Sequence, residues 1–169
     1  TGFMTALEEV SNKPVKKVMK TFLEQPGAPL ISMKLNCSTG VAVRIELSQK
    51  RALPAGSLAA RDQRWETPVC LRYGDQKSQR QECLMMSEAA QTAPLSTSRC
   101  PTWIHGNEDH RGYYQWTTSP KEILGLVDQE YPQLSWTEKT ALPNLLGSLF
   151  GADEIPIRRT LRSSGLMRS

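Results

Sequence analysis

Leu30-Ile31-Ser32-Met33-Lys34-Leu35 and Val41-Ala42-Val43-Arg44-Ile45-Glu46-Leu47 set apolar against polar residues at every second position. That period belongs to a strand with one buried face, and the β-branched content fits a pleated surface. Ser38-Thr39-Gly40 between them reads as a hairpin turn. Further candidate strands run over Thr67 to Tyr73, Gln79 to Met86, Trp103-Ile104 and Gly112 to Thr118, each bounded by Gly, Asp, Asn, Ser or Pro. Six short strands with no helix between them predict an antiparallel β-sandwich. The stretch from Leu53 to Gln63, rich in Ala and Gly, reads as a loop.

On both sides of this block the period changes to 3.6. Upstream, Phe3, Met4, Leu7 and Val10 have helical spacing. After Ser11-Asn12, Val15, Val18, Met19, Phe22 and Leu23 form a second apolar stripe, with Pro14 suited to a first helical position and Pro26-Gly27 as a stop. Downstream, Ser119-Pro120-Lys121-Glu122 and Ser135-Trp136-Thr137-Glu138 both fit the Ser-x-x-Glu capping box, so two helices start there. The second carries Leu142, Leu145, Leu146, Leu149 and Phe150, with Pro143 expected to kink it, and a short piece follows Ile155. The fold class is therefore mainly β with flanking α: an antiparallel β-sandwich preceded by a helix pair and followed by helices.

The net charge of +4 does not predict a nucleic-acid partner. Four of the 21 basic residues, Arg158, Arg159, Arg162 and Arg168, lie in the last fifteen positions, so residues 1–154 hold 17 basic and 17 acidic side chains. Counterion release requires a basic face on the folded body. Apolar runs are only a few residues long, and Thr1-Gly2-Phe3-Met4 resembles no leader, so a soluble segment of something longer with no membrane span is expected. Cys37, Cys70, Cys83 and Cys100 are spaced by 33, 13 and 17 positions, which rules out a Cys-x-x-Cys site. A hairpin centred on Ala89 to Pro94 would bring Cys83 opposite Cys100 and imply a disulfide in an oxidising compartment. The alternative is four small buried thiols.

Catalytic signatures are missing: there is no Gly-x-Ser-x-Gly, Gly-x-x-x-x-Gly-Lys, Gly-x-Gly-x-x-Gly or His-Glu-x-x-His. His105, Glu108 and His110, with Asp109, make the one set that resembles metal ligands. The same residues compose a solvated hairpin loop, which is the reading preferred here. The adjacent acidic pairs Glu8-Glu9, Glu108-Asp109 and Asp153-Glu154 read as surface. Trp103, Tyr113, Tyr114 and Trp116 could build a ligand-stacking platform, but aromatics on strands are more often core.

Four motifs in order resemble the zinc aminopeptidases of the aminopeptidase N and leukotriene A4 hydrolase-like gluzincin family. Val18-Met19-Lys20-Thr21-Phe22-Leu23-Glu24-Gln25-Pro26-Gly27-Ala28-Pro29-Leu30 is similar to the helix end at which the family's catalytic domain gives way to its sandwich, with Phe22 where tryptophan is usual. Trp65-Glu66-Thr67-Pro68-Val69 resembles the family's Trp-x-x-Pro-Val strand. Trp103-Ile104-His105-Gly106-Asn107 with Gly112-Tyr113-Tyr114 resembles the tryptophan, asparagine and Gly-Tyr-Tyr pattern near the sandwich's end. There Gln115, Trp116 and Thr118 replace the usual arginine, valine and tyrosine. Leu134-Ser135-Trp136-Thr137-Glu138-Lys139 resembles the opening of the C-terminal helical domain.

The resemblance implies three pieces: residues 1–27 from the end of a catalytic domain, 28–118 as the sandwich, and 119–169 from the start of a helical domain. It implies that the zinc ligands lie outside this chain, so no catalytic, cofactor-binding or metal residue is assigned and zinc is expected in the parent enzyme. The expected partners are the parent's catalytic and helical domains, with a peptide substrate bound by the parent. Two rivals are a free-standing protein-binding module using Trp103, Tyr113 and Trp116, and a small enzyme using His105, Glu108 and His110.

Overall fold

The computed structural model describes residues 2–38, 41–54 and 56–150, the last four by backbone alone. Most of the Ser38-Thr39-Gly40 turn, the piece after Ile155, the Asp153-Glu154 pair and the basic tail lie outside the described residues. Helices α1 (Phe3–Ser11) and α2 (Val15–Leu23) are followed by β1 (Pro29–Asn36), β2 (Arg44–Arg51), β3 (Thr67–Gly74), β4 (Gln79–Met86), β5 (Ala90–Pro94), β6 (Trp103–His105) and β7 (Gln115–Thr117). Helices α3 (Pro120–Glu130) and α4 (Trp136–Phe150) come last. The loop before Trp65 contains no strand or helix among its described residues. No helix of the described residues is long and apolar enough to cross a membrane.

The strands form two sheets, ordered β5-β2-β1-β7 and β4-β3-β6. Alternation fills the space between them. Met33 stands opposite Leu47 and Leu35 opposite Ile45 in the β1–β2 ladder, and Ile31, Met33, Ile45, Leu47, Val69, Leu71 and Tyr73 share one buried core. Gln49 also faces inward. Its amide nitrogen donates to the Trp65 carbonyl at 3.0 Å and the Glu88 carbonyl at 2.9 Å, and its oxygen accepts from the Trp65 N–H at 2.9 Å. Saturated in this way, a buried amide costs little and fixes register.

The strand layout departs from the sequence reading in two ways. Ala90–Pro94, read as the connection of a hairpin, is itself a strand, and it pairs with β2 in the opposite sheet rather than with β4. The chain changes sheets at Ser87-Glu88-Ala89, where Gln91 closes the corner by accepting from the Ser87 N–H and donating to the Met85 carbonyl. The sandwich is also not wholly antiparallel, because β7 runs parallel to β1. Gly112 to Tyr114 lie before β7 and outside any strand.

The cysteines follow the actual ladders. Cys70 and Cys83 face each other across β3 and β4 with Cα atoms 4.0 Å apart and are bonded, and Cys37 is bonded to Cys100. The Cys83–Cys100 hairpin pairing and the four-thiol alternative are both corrected. The turn that decides the β3–β4 pairing is Asp75 to Ser78. The Asp75 carboxylate accepts from the Lys77 and Ser78 N–H groups, and counting back equally from Gly74 and Gln79 brings Cys70 opposite Cys83.

Both Ser-x-x-Glu motifs start a helix, but only the second closes a reciprocal capping box. Ser119 accepts from the Glu122 N–H at 3.4 Å. At the second, Ser135 Oγ accepts from the Glu138 N–H at 3.3 Å while Glu138 Oε2 accepts from the Ser135 N–H at 2.9 Å. Helix α3 buries Ile123, Leu126 and Val127. It approaches so closely that a Cβ at Gly125 would meet the Thr102 carbonyl. Helix α4 continues through Pro143 and buries Leu142 and Leu145. By contrast no residue of α1 or α2 is buried, and Phe3, Val10 and Leu23 are exposed. Polar contacts hold α2 to the sandwich: Lys17 pairs with Glu66 at 2.8 Å and Thr21 accepts from the Glu66 N–H. The Phe22 ring meets Tyr113 edge-on at 6.0 Å.

Candidate functional site

The β3–β6 ladder places Arg72 opposite His105. Beyond His105 the chain enters Gly106-Asn107-Glu108, all buried, so this segment is not the solvated loop that its polarity suggested. Asn107 closes it: its amide donates to the Gly112 and Tyr114 carbonyls, at 2.8 and 3.3 Å, and its oxygen accepts from the Gly112 N–H at 2.9 Å. Within the loop, Asp109 and His110 take φ values of 49° and 54°. The left-handed region costs a non-glycine residue of order 1 kcal/mol. What it achieves here is to direct the Asp109 N–H toward α4.

The carboxylate it meets is Glu138, 1% exposed. Glu138 accepts from Arg72 Nη2 at 2.7 Å, the Ser135 N–H at 2.9 Å and the Asp109 N–H at 3.1 Å. Burial alone would raise its pKa. The Ser135 and Asp109 N–H groups, His105 and Arg72 outweigh that and hold it below the usual carboxylate range. Glu130, on α3, is pushed the other way, first by burial and also by Glu138.

His105 is 1% exposed, with its ring 4.9 Å from Trp116. Its Nδ1 lies 3.6 Å from Glu138 Oε1, beyond hydrogen-bond reach, and accepts from the Asn107 N–H at 3.4 Å. An accepting Nδ1 carries no proton, so the imidazole is neutral. Its pKa is lowered to about 4, first by burial and then by Arg72 and His110, against the pull of Glu138 and Asp109.

That depression makes folding pH-dependent. Below about pH 6.5 the unfolded chain protonates this histidine while the folded chain does not until about pH 4. Stability therefore falls as pH drops through that window, by on the order of 3 kcal/mol at most. Glu138, with its lowered pKa, adds a loss of the same sign at lower pH. Urea denaturation at pH 7 and pH 4.5 should show the difference, and His105→Asn, which keeps an acceptor for the Asn107 N–H, should flatten it. An unchanged slope in that variant would contradict this assignment.

The carboxylate is saturated with donors and both it and the imidazole are shut from solvent, so neither can reach a substrate. The residues do not fit zinc either. Glu108 pairs with Arg111 at 3.9 Å, and the Arg72 guanidinium occupies the position a cation would take beside Glu138. All four cysteines are in disulfides, and no group of three or more ligands gathers among the described residues. Nor do the aromatics make a platform: Trp103, Tyr114 and Trp116 are buried in the core, and Tyr113 alone is exposed. Of the residues singled out in the sequence, His105 ends β6, while Glu108 (buried) and His110 (half-buried) lie in the loop that follows. The partners Arg72 and Glu138 were not singled out as a pair, and only the capping motif at Ser135 marked Glu138. The arrangement is a buried clamp fastening α4 to β3, to the end of β6 and to the loop that follows it.

No family model matches the chain. It is 30% identical over 131 residues to the glutamyl aminopeptidase of Bitis rhinoceros, an alignment covering 75% of this chain and 13% of that protein. It is 33% identical over 128 residues to the aminopeptidase A of Gloydius brevicauda, with the same coverage, and 32% identical over 116 residues to the aminopeptidase M1-C of Oryza sativa subsp. japonica, covering 64% of this chain and 12% of that one. The chain thus spans about an eighth of the length of these curated relatives. With the motifs in order and a β-sandwich between flanking helices, it is an M1-type aminopeptidase-like segment, of the family that its sequence resembles.

Proposed function

We propose that this chain is the non-catalytic spacer of a zinc aminopeptidase that removes amino-terminal residues from peptides. In this reading residues 1–27 end the catalytic domain, 28–118 form the spacer and 119–169 begin the C-terminal helical domain. The observation that carries it is the Glu138 clamp, which joins the first turn of α4 to the sandwich by a buried ion pair and so supports a spacer that hands its orientation on to a following helical domain. The exposed apolar side chains Phe3, Val10 and Leu23 on α1 and α2 are then contacts with the catalytic domain. Zinc and the peptide-cleaving groups belong to that domain, and closure of the domains around the spacer shields the peptide site from water.

Zinc content after dialysis and hydrolysis of aminoacyl chromogenic substrates test this on the 169-residue chain. The expected result is neither stoichiometric zinc nor turnover. Stoichiometric zinc with turnover abolished by His105→Ala would overturn it in favour of a small enzyme.

A further inference from the structure

We propose that Asn36 is an acceptor for N-linked oligosaccharide, attached in the same lumen that oxidises the cysteines. The proposal is independent of the spacer role. Asn36-Cys37-Ser38 is the chain's single Asn-x-Ser/Thr triplet with no proline in the middle: Asn12 is followed by Lys13-Pro14, Asn107 by Glu108-Asp109 and Asn144 by Leu145-Leu146. So short a motif needs structural support, namely a surface site in a chain that passes through the secretory route.

Both conditions hold. Asn36 is the last residue of β1 and is exposed, as is Ser38. Its neighbours on that sheet face are polar. Lys34 pairs with Glu46 at 3.8 Å, and the face carries a shallow open groove of about 460 Å³ lined in part by Lys34, Glu46, Ser48 and Thr92. A first sugar on Asn36 would lie over polar surface and displace no core side chain. The Ser38 hydroxyl donates to Asn36 Oδ1 at 3.1 Å, so the second partner of the motif is already beside the amide. Asn36 Nδ2 donates one hydrogen to Glu46 Oε1 at 3.2 Å and has a second to lose. The second condition rests on a separate observation. All four cysteines are paired, in two disulfides, and such pairs persist in oxidising compartments.

The donor class is an oligosaccharide linked through its anomeric carbon to a lipid pyrophosphate. Nδ2 bonds to that carbon, the carbon–oxygen bond to pyrophosphate breaks, the lipid pyrophosphate leaves with the electron pair, and one Nδ2 proton passes to a base of the transferase. No redox change occurs. The middle residue adds a constraint, because Cys37 becomes pinned once it bonds Cys100, 63 positions later. Synthesis delivers Asn36 to the lumen before Cys100, so transfer precedes closure. Cys100→Ser should therefore keep or raise occupancy.

The test expresses the full chain behind a secretory signal in eukaryotic cells and treats the secreted product with peptide N-glycosidase. The expected result is a downward mobility shift of one glycan, with Asn36 converted to Asp. The shift should be lost in Asn36→Gln and in Ser38→Ala, and kept in Ser38→Thr. Ser38→Ala leaves Asn36 in place, so it decides the matter even if Asn36→Gln is not secreted. A secreted chain with both disulfides and an unmodified Asn36 would overturn the proposal, as would a glycan that survives Ser38→Ala.

Discussion

Glu138→Ala should destabilise the chain by about 3–5 kcal/mol, the cost of removing one partner from a buried ion pair. The magnitude follows from what the substitution leaves behind. Arg72, with its side chain 18% exposed, would keep its charge without a counter-ion, and the Asp109 and Ser135 N–H groups would lose their acceptor. The strained turn at Asp109 and His110 would also lose the contact that it serves. Replacing both charges, as in Arg72→Leu with Glu138→Leu, removes the stranded cation, so the double variant should recover part of the loss despite lacking the carboxylate half of the capping box, the Ser135 cap being kept. Urea unfolding of the two single variants and the double variant at pH 7 measures this as a coupling. A Glu138→Ala loss below about 1 kcal/mol would mean that the cluster does not fasten α4.

Removing Cys37–Cys100 should cost about 4 kcal/mol, against about 3 kcal/mol for Cys70–Cys83, from the chain entropy that each cross-link withholds from the unfolded state. The ordering comes from sequence separation, 63 against 13 residues. Context points the same way. Cys70 and Cys83 are neighbours in a ladder that runs the length of β3 and β4, so much of their order survives reduction. Cys37 follows β1 in the four-stranded sheet and Cys100 precedes β6 in the three-stranded one, so that bond ties the two layers together. Paired Cys→Ser variants compared by urea midpoint check the ranking. A larger loss from the Cys70/Cys83 pair would contradict it.

Local pattern was readable where local physics decides. The period of two in Leu30 to Leu35 and Ile45 to Leu47, the stripe of α2 and both Ser-x-x-Glu motifs correspond to β1, β2, α2, α3 and α4. What depends on pairing between distant segments was not. Ala90–Pro94 is a turn by composition, and only its partner β2 makes it a strand. The cysteine pairing depends on which turn closes a hairpin: Gly74-Asp75 does and sets Cys70 opposite Cys83, whereas Ala90–Pro94 crosses to the other sheet and leaves Cys83 and Cys100 unpaired with each other. The polar run from His105 to His110 looked like a loop in water because sequence does not show that Glu138, nearly thirty positions on, folds back over it. Gly106 gave a faint signal, since a Cβ there would collide with Met33 and Trp116.

The most direct test of the central claim is to read the coding sequence upstream of Thr1 over the length of a catalytic domain, about 300 codons. An in-frame His-Glu-x-x-His with a downstream glutamate is the predicted result, and it would set this sandwich after the zinc site of an aminopeptidase. A start codon or secretory signal directly before Thr1 would contradict the account and leave a free-standing sandwich module.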